Sequence, residues 1–444
     1  MELSDIWRRF ARNAAMIVGS RMVFGLLNLA TNAVVVRAFG LEQLGVVLLL
    51  QAYARLFSEI VKFQSWQTVL RYGASLEDNR PGLRRLIGFT LGLDLLGFAV
   101  AIGAAILLVP WAAGWFGWSG EVTAFAPFFV LSIIFTTHAT PTGVVRLFDR
   151  VDVLAIQHAL NSVLRFAGVC LAAALGGGVL HIVLAWFAAS VVSGGYLLVV
   201  FLGVAIRREA TPAFWVNWLR VGREFPQIWR FLCLSNASTG VSLILKYGST
   251  IVVGAQLGPA AAATWEVARQ FGGAIAKPAR ILGPLMFPEL SRMAARNDWR
   301  TMRRVLVRQL VVTLAGVGGV ALVLVVALPV LVDLIFGAEL VSEVALFRLT
   351  VLASLIAFAG FLLEPAFLSA GKAGMLLAIQ LVAIVVFMTT ALSTMHILGT
   401  IAFGYALLGY QLAEHGLLFL VGRKLIRKRI RQSSKTVAAG RAPG

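Results

Sequence analysis

Six cationic side chains, Arg21, Arg55, Arg165, Lys246, Arg269 and Arg348, sit inside stretches otherwise apolar enough to cross a membrane. A charge at the bilayer centre costs ~3 kcal/mol even on the mildest insertion scale, so such residues face a bundle interior or a wet cavity. Their common sign selects an anion. Arginine offers a planar, permanently charged fork that matches phosphate, and lysine a compact point charge. A large hydrated anion crossing hydrocarbon needs its water replaced by fixed donors of this kind. Arg21, Lys246 and Arg269 are the leading candidate ligands for that anion, because their helices should face a cleft between two halves of the chain. Arg55 and Arg165 follow, and Arg348 repeats the pattern near the outer end of a later span.

Ion pairing is the competing reading. Arg55 and Glu59 stand at i,i+4 and Glu266 and Arg269 at i,i+3, so either pair could be an intramembrane salt bridge with a structural role. Arg21, Arg165 and Lys246 have no acid one turn away. Asp94, Glu59, Glu266, Glu364 and Glu414 are candidate coupling-ion or proton sites by the same burial logic. Glu364, before Pro365 near an inner helix end, can instead snorkel to water. The five histidines are scattered one per segment, and Cys170 and Cys233 lie in apolar runs. Neither set has metal-ligand spacing, so no metal and no cofactor are expected.

The elements that carry these residues are membrane helices. With 59% hydrophobic and 13% charged residues and a mean hydropathy of +0.87, the chain could not cover a water-soluble surface. Apolar runs predict an all-α polytopic protein of twelve spans, at about 14–36, 43–61, 86–109, 122–141, 153–175, 179–205, 231–256, 260–286, 305–335, 345–368, 373–395 and 398–421. The first is read as retained, without a cleavage site. Lys and Arg concentrate in alternate loops, and apart from Arg37 the loops assigned outside carry none. By the positive-inside rule both termini are cytoplasmic. The net charge of +19 is thereby explained by inside loops and anionic lipids, with no nucleic-acid partner required.

An internal repeat divides the spans into two groups of six. Ile6-Trp7-Arg8 is matched by Ile228-Trp229-Arg230 and Asn13-Ala14 by Asn236-Ala237. Val34-Val35, Gly40 and Asn79 are matched by Val252-Val253, Gly258 and Asn297 at an offset of 218, and Arg84-Arg85 by Arg303-Arg304 at 219. Six spans is an even number, so the halves are parallel repeats about an axis along the membrane normal, with the substrate path between them. The predicted organisation is an N-terminal lobe over 1–206, a linker over 207–230, a C-terminal lobe over 231–422 and a basic tail over 423–444. The linker spaces Phe214, Trp215, Trp218, Leu219 and Phe225 as an amphipathic helix on the inner membrane surface. Docking of cytoplasmic enzymes that build the substrate is one reading of it, a plain connection the simpler one. The tail is an anionic-lipid-binding charge run.

The turn Phe39-Gly40-Leu41-Glu42-Gln43-Leu44-Gly45, its counterpart Leu257-Gly258-Pro259, the segment Gly143-Val144-Val145-Arg146-Leu147-Phe148 and the segment Phe287-Pro288-Glu289-Leu290-Ser291 carry a family resemblance. Together with the six-plus-six layout, they make the chain resemble the polysaccharide and O-antigen flippases of the multidrug/oligosaccharidyl-lipid/polysaccharide exporter superfamily. The resemblance covers most of the chain. It implies a bacterial inner-membrane protein that moves a polyprenyl-diphosphate-linked oligosaccharide from the inner to the outer leaflet by alternating access through a cationic cavity, alongside polysaccharide assembly proteins.

Enzymatic alternatives lack their residues. There is no GxxxxGK[ST] loop, no HExxH and no paired cysteine motif. A membrane polymerase or ligase of sugars would hold catalytic groups in a sizeable outer loop, whereas the longest such connection, near Pro110 to Glu121, is short and nearly uncharged. Trp111, Trp115 and Trp118 in that loop read as interface anchors. A drug/cation antiporter of the same superfamily is the nearer alternative, and it would prefer buried carboxylates to buried arginines.

Overall fold

The computed structural model describes residues 24–60, 64–76, 79–136, 138–213, 218–233 and 243–439; Arg21 lies outside them. The described residues are overwhelmingly helical and contain no strand. Leu26–Ala263 form one compact unit, and the described residues from Thr264 onward, with Phe24 and Gly25, form another.

The first unit contains α1 (Phe24–Phe39, apart from its first two residues), α2 (Leu41–Ile60), α3 (Ser65–Gly73), α4 (Arg80–Phe116), α5 (Gly120–Val130), α6 (Ile133–Thr136), α7 (Ala139–Leu147), α8 (Val151–Ala174), α9 (Val179–Arg207), α10 (Trp218–Glu224) and α11 (Ser249–Leu257). A π-helical turn, Ile244–Gly248, leads into α11. The long α12 (Pro259–Ala295) begins in this unit and runs into the second. There it is followed by α13 (Trp299–Phe336), α14 (Val344–Ala359), α15 (Leu363–Ser369), α16 (Ala373–Leu398) and α17 (Ile401–Ala439). Among the described residues, five helical stretches are long and apolar enough to cross a membrane: α4, α8, α9, Ala338–Ser369 and α16. The bent pair of α5 with Ile133–Leu147 makes a sixth. The other expected spans coincide with shorter or charge-bearing helices, whose membrane crossing rests on the sequence pattern.

Helix boundaries reproduce the repeat. Gly40 precedes α2 at φ 88° and Gly258 precedes α12 at φ 88°, a left-handed conformation that glycine adopts without steric cost. Both sit at the offset of 218. Pro259 then occupies the first helical position, where its missing N–H is no loss. The pair α4 and α13 match in length at 37 and 38 residues, and each carries an internal proline, Pro110 and Pro329. Asn79 caps α4 by accepting from the Gly82 N–H at 3.1 Å; in α13 the capping residue is Asp298, which accepts from the Thr301 N–H at 3.1 Å. The repeat offset lengthens by one residue at this cap.

The side-chain hydrogen bond from Thr301, followed by the backbone one, holds the Asp298 carboxyl below its ordinary pKa. A depressed folded pKa means that the cap contributes fully above the unfolded value of about 3.9 and is lost as pH falls through the lower folded value. The Thr301 amide is therefore expected to show a higher protection factor against deuterium exchange, relative to its intrinsic rate at each pH, at neutral pH than well below pH 4, and Asp298→Ala should show the lower protection at both.

The linker region packs inward. Val221, Phe225 and Ile228 are buried with Leu86, Phe89 and Leu93 of α4. Arg85 pairs with Glu224 at 2.6 Å, the Tyr72 hydroxyl donates to the Pro226 carbonyl at 2.9 Å, and Gly88 leaves room for the Ala213 carbonyl. Val221, Phe225 and Ile228 therefore turn toward α4. Burying several large side chains on a neighbouring helix uses the same amphipathic pattern that a lipid surface would. Phe214 and Trp215 lie outside the described residues.

Candidate functional site

Two cations meet inside the first unit without an acid between them. Gln51 and Arg55 lie one turn apart on α2, and Asn161 and Arg165 one turn apart on α8. With its amide oriented to satisfy both groups, the Gln51 oxygen accepts from the two terminal nitrogens of Arg165 at 2.8 and 3.0 Å. The Arg165 guanidinium lies 4.5 Å from the ring centroid of Trp186 on α9, a cation–π contact. Asn161 donates to the Ser193 hydroxyl at 2.9 Å and to the Ala189 carbonyl at 3.3 Å, which fixes α8 against α9. Arg55 donates weakly, at 3.4 Å, to the Thr136 carbonyl instead of pairing with Glu59, and its charge repels that of Arg165. Among the described residues Arg165 Nε and the Trp186 indole N–H are buried donors with no acceptor. Arg55, Arg165 and the Trp186 indole N–H thus gather cationic and donor groups in one region of the first unit, chemistry suited to an anion.

Asp94 plays another part in the same unit. Its carboxylate accepts from the Ser65 hydroxyl at 2.6 Å and from the Thr140 backbone N–H at 2.8 Å, and the residue is 4% exposed. It therefore ties α3 and the start of α7 to α4, and its oxygens are engaged by protein donors.

The remaining cations are dispersed. Arg269 and Glu266 form an ion pair with contacts of 2.6, 2.7 and 3.1 Å, and Gln270 also donates to Glu266 at 2.8 Å. This is the structural pairing that their spacing allowed. Lys246 is exposed on the π-helical turn, its ammonium 4.9 Å from the Tyr247 ring centroid, and Arg348 is exposed on α14. Neither has a carboxylate partner among the described residues. Such turns interrupt helices most often at functional positions.

Two of the candidate acids meet in the second unit. Glu414 on α17 is 8% exposed, with the Tyr410 and Gln380 side chains beside it and Glu364 on α15 within electrostatic range. The His415 ring packs against Gly360, with Nδ1 3.2 Å from the Gln411 carbonyl and 3.9 Å from Glu414. Two carboxylates at close quarters in a low-dielectric bundle favour a shared proton or a bound cation over two free charges. Among the described residues no three His, Cys, Asp or Glu side chains gather as a metal site. Gln51, Trp186, Tyr410 and Gln380 were not singled out from sequence. Gln51 and Tyr410 could have been, as polar residues one turn before Arg55 and Glu414.

No family model matches the chain. An inward-facing multidrug resistance MATE family transporter of the MOP superfamily shares its fold with a TM-score of 0.74 at 14% identity, over 92% of this chain and 96% of that one. The lipid II flippase MurJ, in an inward closed conformation, does so with a TM-score of 0.68 at 12% identity, over 97% and 94%. The fold is therefore that of the MATE and MurJ polytopic membrane proteins. Over 338 residues the chain is 32% identical to inner membrane protein YghQ of Escherichia coli (strain K12), covering 75% of this chain and 94% of that protein. It belongs to the same family as YghQ, and it is a multi-pass protein of the bacterial inner membrane.

Proposed function

We propose that the protein is an exporter of the flippase type, which moves a polyprenyl-diphosphate-linked oligosaccharide, such as an O-antigen or exopolysaccharide repeat unit, between membrane leaflets by alternating access. The observation that carries this reading is the placement of Arg55 within electrostatic range of Arg165, whose guanidinium is held by Gln51 and Trp186 and makes no ion pair among the described residues. Diphosphate oxygens are acceptors of the right charge, and planar guanidinium groups bind them at fixed geometry. Lys246 and Arg348, which have no acid partner among the described residues, are the further candidate ligands. Arg269 enters only if the headgroup competes for the Glu266 pair. The MurJ likeness supports transport of a lipid-linked headgroup on this fold. A potential of 100 mV, negative inside, favours outward movement of each uncompensated negative charge by ~2.3 kcal/mol.

The Glu364–Glu414 pair supports ion coupling, and it is also the feature that favours the antiporter alternative, because a drug/cation exchanger needs buried carboxylates. Reconstitution separates the two. Liposomes holding the protein should exchange a labelled polyprenyl-diphosphate oligosaccharide between leaflets and leave a cationic dye in place; the opposite result would install the antiporter reading. Glu414→Gln is expected to keep exchange at zero gradient while abolishing its acceleration by a proton or sodium gradient. Unchanged acceleration would remove the pair from the mechanism.

A further inference from the structure

A cavity of about 250 Å³ opens in the second unit between the start of α13, α15 and the end of α17. Its lining changes character along its length. Arg303, Arg423 and Arg427 stand at one end, and Leu310, Phe367 and Phe419 toward the other. At 1.5 Å per helical residue, Arg303 to Leu310 spans about 10 Å along α13 and Phe419 to Arg427 about 12 Å along α17. Because α13 and α17 run oppositely with respect to the basic end, the two helices bring their arginines together there and their apolar residues together beyond it. Gly422 keeps the slot open beside Phe367, since a Cβ there would lie 3.2 Å from the Phe367 ring. Val307 and Phe419 are 46% and 39% exposed, so the slot opens sideways where the sequence places hydrocarbon.

All three arginines are exposed, and none makes an ion pair or hydrogen bond among the described residues, whereas nearby Arg292 pairs with Glu289 at 2.6 Å. Trp299, stacked by Arg429 at 5.5 Å, marks the level of the membrane interface at the basic end. The basic loops put that end on the cytoplasmic side.

We propose that this groove is a binding site for an anionic phospholipid of the cytoplasmic leaflet, with the phosphate held by Arg303, Arg423 and Arg427 and the first part of an acyl chain lying along Leu310, Phe367 and Phe419. An amphiphile matches a slot that is cationic at one end and apolar at the other. A zwitterionic lipid leaves the three guanidinium charges uncompensated. A soluble anion leaves the apolar part unfilled. Basic pockets between helices at the cytoplasmic surface select anionic headgroups by the same balance. The site is separate from the Arg55–Arg165 cluster and does not depend on which substrate is carried.

Trp299 lines the groove and supplies the readout. Full-length protein in phosphatidylcholine nanodiscs is titrated with phosphatidylglycerol brominated in its acyl chains, and the quenching that disappears in Trp299→Phe is followed. Saturable quenching by brominated phosphatidylglycerol, but not by brominated phosphatidylcholine, is expected. The combined variant Arg303→Gln, Arg423→Gln, Arg427→Gln should weaken it ~100-fold, at ~5-fold per arginine. Lys424→Gln with Lys428→Gln, on the same helix but outside the groove lining, should leave it within about threefold, because exposed charges away from the site are screened. Equal losses in both variants would mean a diffuse field and would overturn the site. So would equal quenching by the two brominated lipids. Displacement of the phospholipid by millimolar inorganic phosphate would reassign the groove to a free anion, and displacement by substoichiometric polyprenyl phosphate to the isoprenoid, and either would overturn the proposal. The charge variants are surface changes and Trp299→Phe exchanges one buried aromatic for another, and monodisperse elution checks their fold.

Discussion

On the proposed flippase reading, replacing Arg165 by glutamine is expected to lower protein-dependent leaflet exchange of a polyprenyl-diphosphate oligosaccharide by about 10- to 100-fold, the loss of one charge-assisted hydrogen bond at ~1.5–3 kcal/mol. The position matters because Arg165 is held from both sides, by the Gln51 oxygen at 2.8 and 3.0 Å and by the Trp186 ring at 4.5 Å. Its fork therefore presents a fixed orientation, and its Nε remains without an acceptor among the described residues. Glutamine keeps a polar group in reach of Gln51 and removes the charge. Arg165→Lys keeps the charge and loses the planar fork, so it should recover only part of the rate. Trp186→Phe retains an aromatic face but deletes the spare indole N–H, and a smaller loss is expected. The measurement is initial exchange rate in liposomes at matched protein density, with thermal stability in detergent as the fold control. A folded Arg165→Gln protein with full exchange would sink the anion assignment and leave Arg165 as a packing residue.

Asp94→Ala is expected to lower the unfolding free energy by about 3 kcal/mol or more, since it strands a buried hydroxyl and a buried backbone N–H that now share one carboxylate. The two donors come from Ser65 at 2.6 Å and Thr140 at 2.8 Å, on different helices, so their loss loosens α3 and α7 from α4 together. Asp94→Asn retains one acceptor oxygen and should fall between the two. Thermal unfolding in detergent or nanodiscs checks the order. A coupling role makes a different prediction: Asp94→Asn would keep the melting temperature and change the gradient dependence of transport. The geometry favours the structural outcome, because protein donors already engage the carboxylate.

These two residues show where reading along the chain ends. Arg165 and Asp94 are both visible in sequence as charges too costly for an apolar helix. Nothing in the sequence distinguishes their roles. One has a spare donor and the other has its acceptors engaged, and the partners that make this difference lie 21 to 114 residues away. Arg269 is the opposite case, since its partner Glu266 is three residues away on the same helix and the pairing followed from spacing alone.

Short-range rules thus account for what the sequence by itself determined. These are membrane residence, an all-helical fold, the matched turns at Gly40 and Gly258, and the list of charges that burial makes expensive. Each depends on composition or on neighbours within about one turn, where helical geometry is fixed. Tertiary structure decided the rest. Arg55 turns to a carbonyl on α6, Arg165 is clamped from α2 and α9, the linker's apolar face lies on α4, and three arginines from α13 and α17 meet around one groove. All four depend on which helix faces pack together. That choice is made by side-chain shape and burial across helices, and an apolar pattern that suits lipid suits a neighbouring helix equally well.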